Sequence, residues 1–172
     1  MTMRVPFVLT LLCVSLLAGC DQQVPRSDDA DAAGFTAPTS ATLAAQAETA
    51  KSLPADDGLD LQEAERGLIA REDSLSIAGA DGRVLFDQDA YRFIQGAAPG
   101  SVNPSLWRQA QLNNHHGLYK VTEGVYQLRG YDISNMTMIE GRTGWIIVDP
   151  LTAKETAARA IAFARQHLGT KP

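Results

Sequence analysis

The run Trp145-Ile146-Ile147-Val148, stopped by Asp149-Pro150 and followed by a stretch with helical periodicity, limits the fold more than any other part of the sequence. Four large apolar residues without polar alternation are what a strand covered on both faces requires, because each side of the pleat then meets hydrocarbon. Proline has no N–H for a ladder and pushes the residue before it out of helical dihedrals, so the strand must end there. From Thr152 to about His167 the apolar residues Ala157, Ile161, Ala164 and Leu168 recur on one side, with Lys154, Glu155, Arg159 and Arg165 facing water. Asp149 is expected to cap that helix and Gly169 to close it. A one-sided helix directly after a buried strand has to lie on the sheet that contains the strand, so the fold class is α/β.

Upstream, "LYKV", "VYQLR" and "NMTMIE" are further strand-like runs, separated from each other and from "WIIV" by Glu123-Gly124, Gly130-Tyr131-Asp132 and the tight turn Gly141-Arg142-Thr143-Gly144. "NPSLWRQAQLNN" predicts a helix with Asn103 as cap and Pro104 at the first position. "QDAYRFIQG" predicts a short helix, and "LSIAGADGRVLFD" a hairpin about its Gly-Ala-Asp-Gly turn. Asp60 and Glu63 have the spacing of a capping box, which predicts a helix of about three turns ending by Glu72, with Leu61, Ala64 and Leu68 on one side. Four segments follow: 1–19 a signal peptide, 20–58 a flexible tether, 59–117 a helical and hairpin segment, and 118–172 the start of the sheet domain.

The N-terminal part has its own logic. Arg4 precedes a short apolar run ending in Leu17-Ala18-Gly19-Cys20. The run is too short for a membrane-spanning helix, which needs about 20 apolar residues, and its polarity is that of a secretion signal. Its ending resembles a bacterial lipobox, with Cys20 as the lipidated residue; a plain signal with an incidental cysteine is the alternative. Several acyl chains, each CH₂ contributing about 0.8 kcal/mol on burial, would make the anchor stable. Loss of the signal removes Arg4 and Cys13, which leaves 14 basic and 20 acidic residues, a net charge of −6, and one cysteine. That excludes a disulfide framework, a thiolate metal site and the basic footprint of a nucleic-acid binder. The Ala-, Ser- and Asp-rich residues after Cys20 bury too little to offset ordering entropy, apart from a weakly held helix in "SATLAAQAETAK".

From Asn103 to Ile161 the string "NPSLWRQAQLNNHHGLYKVTEGVYQLRGYDISNMTMIEGRTGWIIVDPLTAKETAARAI" resembles the N-terminal portion of bacterial alkyl sulfatases of the metallo-β-lactamase superfamily, with support from "EAERGLIA" and "GRVLFDQDAYRFI". The resemblance implies the first half of an αββα sandwich. It implies an exported, periplasmic hydrolase that cleaves sulfate esters of alkyl chains with two zinc ions, whose paired charge can lower the pKa of a bridging water and offset the sulfate charge. It also implies that the first metal-binding run, H-x-H-x-D-H, follows the strand after the covering helix. Residues 1–172 contain no such run, so the expectation is a truncated, inactive portion in which no residue serves as catalytic group or metal ligand. A homodimer is expected only of a longer form. The alternatives are a complete lipoprotein acting as a binding or structural module, and a part of a different hydrolase of the same superfamily.

Individual residues fit this reading. The sequence has three histidines, fewer imidazoles than a two-zinc site without cysteine is expected to use. His115 and His116 are neighbours whose side chains diverge, and His116 is expected to bond a backbone group near Gly117. His167 lies in the last helical turn, where a cation complements exposed carbonyls. Asn135 with Thr137 matches a glycosylation pattern that a buried strand could not use, and Trp107 and Trp145 are expected in the core. If Cys20 carries the lipid, Cys20→Ser should abolish labelling by radioactive fatty acid and release the protein from the membrane pellet. Label retained on the variant would place the lipid elsewhere.

Overall fold

A computed structural model describes residues 34–55 and 57–172. Cys20 and the signal segment lie outside the described residues. The helix α1 (Ser40–Ser52) buries none of its side chains, as its alanine-rich composition requires. A shorter helix, α2 (Leu59–Glu65), leads into β1 (Leu68–Ala70), and the hairpin β2 (Ser76–Ala78) and β3 (Val84–Asp87) follows. After a single 3₁₀ turn at Asp89–Tyr91, α3 (Pro104–Asn113) starts at Asn103, whose side chain accepts from the amides of Ser105 and Leu106. The strands β4 (Gly117–Thr122), β5 (Val125–Arg129), β6 (Met136–Glu140) and β7 (Trp145–Val148) come next, then α4 (Lys154–Leu168). The sheet order is β1-β4-β5-β6-β7, every neighbour antiparallel.

Register sorts the side chains. Leu118 lies opposite Leu128 and Leu128 opposite Met136; Tyr126 lies opposite Met138 and Met138 opposite Ile147. These two rows face α4 and meet Ala160, Phe163 and Ala164, while Leu75 and Ile77 of the hairpin segment close the same core. Leu118, Leu128, Met136 and Met138 are fully buried, each stabilising the fold by roughly 1.5–3 kcal/mol. The opposite face carries Tyr119, Gln127, Thr137 and Val148 in one row. There the Arg129 guanidinium lies 4.3 Å above the Tyr119 ring and reaches the Ala64 carbonyl of α2.

Four expectations are corrected. The helix predicted from Asp60 to Glu72 stops at Glu65, with Gly58 at its N-cap and no side-chain cap, and Asp60 instead pairs with Arg108 at 3.0 Å. Gly67 turns the chain at φ 79°, where a Cβ would collide with the Lys120 carbonyl, and Leu68–Ala70 gains ladder bonds to β4 that outweigh helical preference. Asp149 does not cap α4: the N-cap is Ala153. The covering face of α4 is turned from the predicted stripe, with Thr156, Ala160, Phe163 and Ala164 buried and Arg159 paired with Glu72. β7 is an edge strand among the described residues, with Ile146 58% and Val148 51% exposed on the face away from α4.

Gly130 enters the turn after β5 at φ 73°, with its missing Cβ in the space of the His116 Cβ. Gly82 has φ 78° and nothing within 4 Å. Gly82→Ala should lose about 1–2 kcal/mol from the left-handed backbone alone, and Gly130→Ala at least about 1 kcal/mol more from overpacking. Urea unfolding of the two variants checks the difference.

Candidate functional site

The antiparallel order decides which loops meet. β1, β5 and β7 run one way and β4 and β6 the other, so the ends of the first three share one edge of the sheet with the starts of the last two. That edge gathers Arg71 and Glu72 after β1, His115 and His116 before β4, Gly130 to Asn135 between β5 and β6, and Asp149 to Thr152 after β7. Most of the polar side chains of interest are therefore gathered at one end of the fold.

Asp132 is the best-satisfied carboxylate there, at 9% exposure. One oxygen accepts from the Ile133 amide at 2.6 Å; the other accepts from the Thr152 amide at 3.0 Å, the Thr152 hydroxyl at 2.6 Å and the Thr156 hydroxyl at 2.7 Å. Burial acts to raise its pKa, but the hydrogen bonds from Thr152, Thr156 and Ile133 outweigh it and hold the value below the ordinary carboxylate range. The same carboxylate holds down a strained turn: Asp149 and Leu151 lie at φ 53° and 72° on either side of Pro150, conformations costly for residues with a Cβ. Asp149 contributes only a long bond, 3.4 Å, from the Leu151 amide.

Glu72 is a second centre. The buried Tyr131 hydroxyl donates to one of its oxygens at 2.8 Å and Arg159 of α4 pairs with the other. Burial, and after it the Glu72 carboxylate, pushes the Tyr131 phenol far above its usual range. The Glu72 carbonyl lies 2.9 Å from His116 Nε2 and the Asn114 carbonyl 3.4 Å from its Nδ1, so backbone oxygens hold the ring on both sides. His115 Nδ1 lies 3.2 Å from Glu65, and the Arg71 guanidinium, hydrogen-bonded to the same carboxylate, holds the Glu65 pKa below its ordinary value.

Beside these groups is an open cavity of about 470 Å³. Phe86, Tyr91, Ile94 and Ile133 supply apolar walls, and Arg129 and Asn135 polar ones. Sequence reasoning weighed Asn135, which is exposed here, but missed Arg129, Asp132 and Glu72. A signal existed only for Asp132, in the Gly130-Tyr131-Asp132 turn; the partners that tie the three across the fold, Thr152 to Asp132, Ala64 to Arg129 and Arg159 to Glu72, lie 20, 65 and 87 residues away. His167 stacks edge-on against Phe163 at 4.7 Å, far from His115 and His116 in sequence. Trp107 donates to the Gly96 carbonyl, and Trp145 packs against Tyr126 at 5.8 Å.

Among the described residues no three His, Cys, Asp or Glu side chains are placed to hold a metal ion. His115 and His116 are engaged with Glu65 and the Glu72 carbonyl, and Asp132 with four donors. A two-zinc centre does not fit these residues alone.

No family model matches the chain. It is 48% identical over 132 residues to the alkyl/aryl-sulfatase BDS1 of Saccharomyces cerevisiae, matching 76% of this chain and 20% of the relative. It is 46% identical over 136 residues to a linear primary-alkylsulfatase of Pseudomonas sp., covering 78% and 20% of the two chains. To an (R)-specific secondary-alkylsulfatase of Pseudomonas sp. it is 43% identical over 165 residues, covering 95% and 24%. The structure resembles the stereoselective inverting sec-alkylsulfatase Pisa1 from Pseudomonas sp., with TM-score 0.75 and 46% identity over 80% of this chain and 22% of that one. The chain is thus homologous to alkyl/aryl sulfatases over part of its length and spans 20–24% of these curated relatives.

Because the folded pKa of Asp132 lies below the unfolded value near 3.8, its contribution to stability is complete above that value and is lost as pH falls through the folded one. Asp132→Asn should therefore cost about 2 kcal/mol at pH 7 and flatten the acid limb of the stability curve below pH 4. An acid limb equally steep in the variant would show that other carboxylates carry it.

Proposed function

We propose that this chain is a structural portion of a hydrolase that cleaves sulfate esters of alkyl chains, forming the sheet end against which the catalytic centre is assembled. The observation that carries the reading is the joint match in sequence and fold, 43–48% identity to three alkyl- or alkyl/aryl-sulfatases and a TM-score of 0.75 to a solved one. At this identity the backbone of the matched region is shared, and the role of these residues is read as positioning. Asp132 ties the turn after β7 to the start of α4, and Glu72 ties β1, Tyr131 and α4 together. Two zinc ions remain what the sequence resemblance implies, and no role in this chain depends on them. Export, a lipid on Cys20 and attachment to a membrane on the periplasmic side complete the reading, with alkyl sulfates as substrates and no nucleic-acid partner.

On this reading the 172-residue chain releases no sulfate from decyl sulfate above the buffer rate, followed by ion chromatography. Steady release by the chain free of longer contaminants would show that it holds a full reaction centre. The family assignment is tested by a graft: residues 34–172 replacing the matched region of the Pseudomonas linear primary-alkylsulfatase should give a folded enzyme that still hydrolyses alkyl sulfate. A folded but inactive graft would overturn it.

A further inference from the structure

We propose that residues 59–66 form a strap latched by charge: salt or acid weakens its ion pairs and releases it, while the five-stranded sheet stays folded. Release frees Arg71 and His115, which the strap engages through Glu65, at the end of the sheet where the polar side chains gather. The device does not depend on the sulfatase reading.

Three observations carry it. The first is the lack of an apolar hold. The helix α2 has seven residues and buries none of them, and a helix this short is marginal in water without a packed apolar face. Leu59 is exposed and Leu61 and Ala64 are only half-buried. Leu61 forms part of the wall of a cavity of about 390 Å³ that Arg71 and His115 also line.

The second is the nature of the ties. Glu65 meets Arg71 at 3.3 Å and His115 Nδ1 at 3.2 Å, Asp60 pairs with Arg108 of α3 at 3.0 Å, and Arg129 of β5 donates to the Ala64 carbonyl at 3.5 Å. Glu63 and Arg66 pair with each other at 3.0 Å, within the strap, and so do not dock it. Exposed pairs of this kind are individually weak and are screened by salt. Opening therefore costs far less than unfolding the sheet, in which Leu118, Leu128 and Met138 are buried. The third is the pair of glycines at its ends. Gly58 has φ 69° with nothing within 4 Å of a Cβ, which leaves the chain room to turn. Gly67 is pinned by the Lys120 amide, which donates to its carbonyl at 2.7 Å, and β1 beyond it keeps its ladder to β4, so the release stops there.

The sign of the acid response follows from Glu65. The hydrogen bond from Arg71 holds its pKa below the ordinary value of 4.5, with His115 adding to the effect and burial opposing it. Its share of the latch is thus complete above that value and is lost as pH falls through the folded one. Arg71 and His115 are the groups that face it; Arg71 in turn meets Tyr119, and Asp60, at the other end of the helix, faces Arg108.

The test follows amide exchange of the full chain by NMR, corrected for intrinsic rates. Raising NaCl from about 0.01 M to about 1 M shortens the screening length from about 30 Å to about 3 Å. Over that range the amides of Glu63 to Arg66 should lose protection at least about fivefold, and those of Leu118, Leu128 and Met138 less than about twofold. The His115 ring resonances should move with the same salt dependence as the α2 amides. Lowering the pH from about 6 to about 3.5 should open the strap in the same way. The acid response should shrink in Glu65→Gln and vanish in the double variant Asp60→Asn with Glu65→Gln. At low salt that double variant should already exchange as the unaltered chain does at high salt. Glu48→Gln, which removes an ion pair in α1 outside the strap, should leave both responses unchanged. Opening of 59–66 only together with the sheet, lack of protection there at every salt concentration, an unmoved His115 ring, or a full salt response in the double variant would each overturn the proposal.

Discussion

Four hydrogen bonds end on the carboxylate of Asp132, and the geometry of the functional end of the fold depends on them. Two come from main-chain amides on different segments and two from hydroxyls on the approach to α4 and its first turn. A buried carboxylate with fewer donors would favour its neutral form and release the segments it joins. Satisfied as it is, it fixes where β5 leaves the sheet, where the strained turn at Asp149 and Leu151 sits, and how α4 approaches the core. The helix lacks a side-chain cap at Ala153, and Asp132, about 20 residues earlier in the chain, ties its approach and first turn through the Thr152 amide and the Thr152 and Thr156 hydroxyls.

Glu72 plays the complementary part across the core. Its side chain receives Tyr131 and Arg159, and its carbonyl receives His116. One residue thus links β1, the β5–β6 loop, the approach to β4 and α4. Antiparallel order brings these places to one end of the sheet, and the apolar rows Leu118–Leu128–Met136 and Tyr126–Met138–Ile147 hold them there against α4. The polar clusters and the core are mutually dependent: the rows set the distance between loops, and the carboxylates set the direction in which each loop leaves.

Local patterns were legible where the physics is local. Asn103 with Pro104 marks the start of α3 because a short side-chain acceptor and a residue without an N–H both suit a helix N-terminus. The four runs from Leu118 to Val148 are strands because their residues suit a pleated, half-buried surface and their separators suit turns. Reading failed where a distant partner decided. Leu68–Ala70 has the apolar spacing of a helix, yet an open row of donors and acceptors on β4 gives it ladder bonds instead. Asp149 has the position of a cap, yet the αL turn around Pro150 points the chain elsewhere, the N-cap falls on Ala153, and Asp132 holds the approach to the helix at Thr152.

By itself the sequence determined the strand and helix complement of the last third, an acidic charge balance, and likeness to alkyl sulfatases through a continuous motif from Asn103 to Ile161. These follow from periodicity, turn chemistry and residue identity, which need no knowledge of distant contacts. Only the tertiary structure decided that Glu72, Tyr131 and Arg159 form one cluster, that Asp132 rather than Asp149 anchors α4, and that Arg129 and Ile133 share a cavity. The physical reason is that hydrogen bonds and ion pairs act over a few ångströms in space, whereas the residues they join lie 20 to 87 positions apart in the chain, a separation that no local pattern encodes.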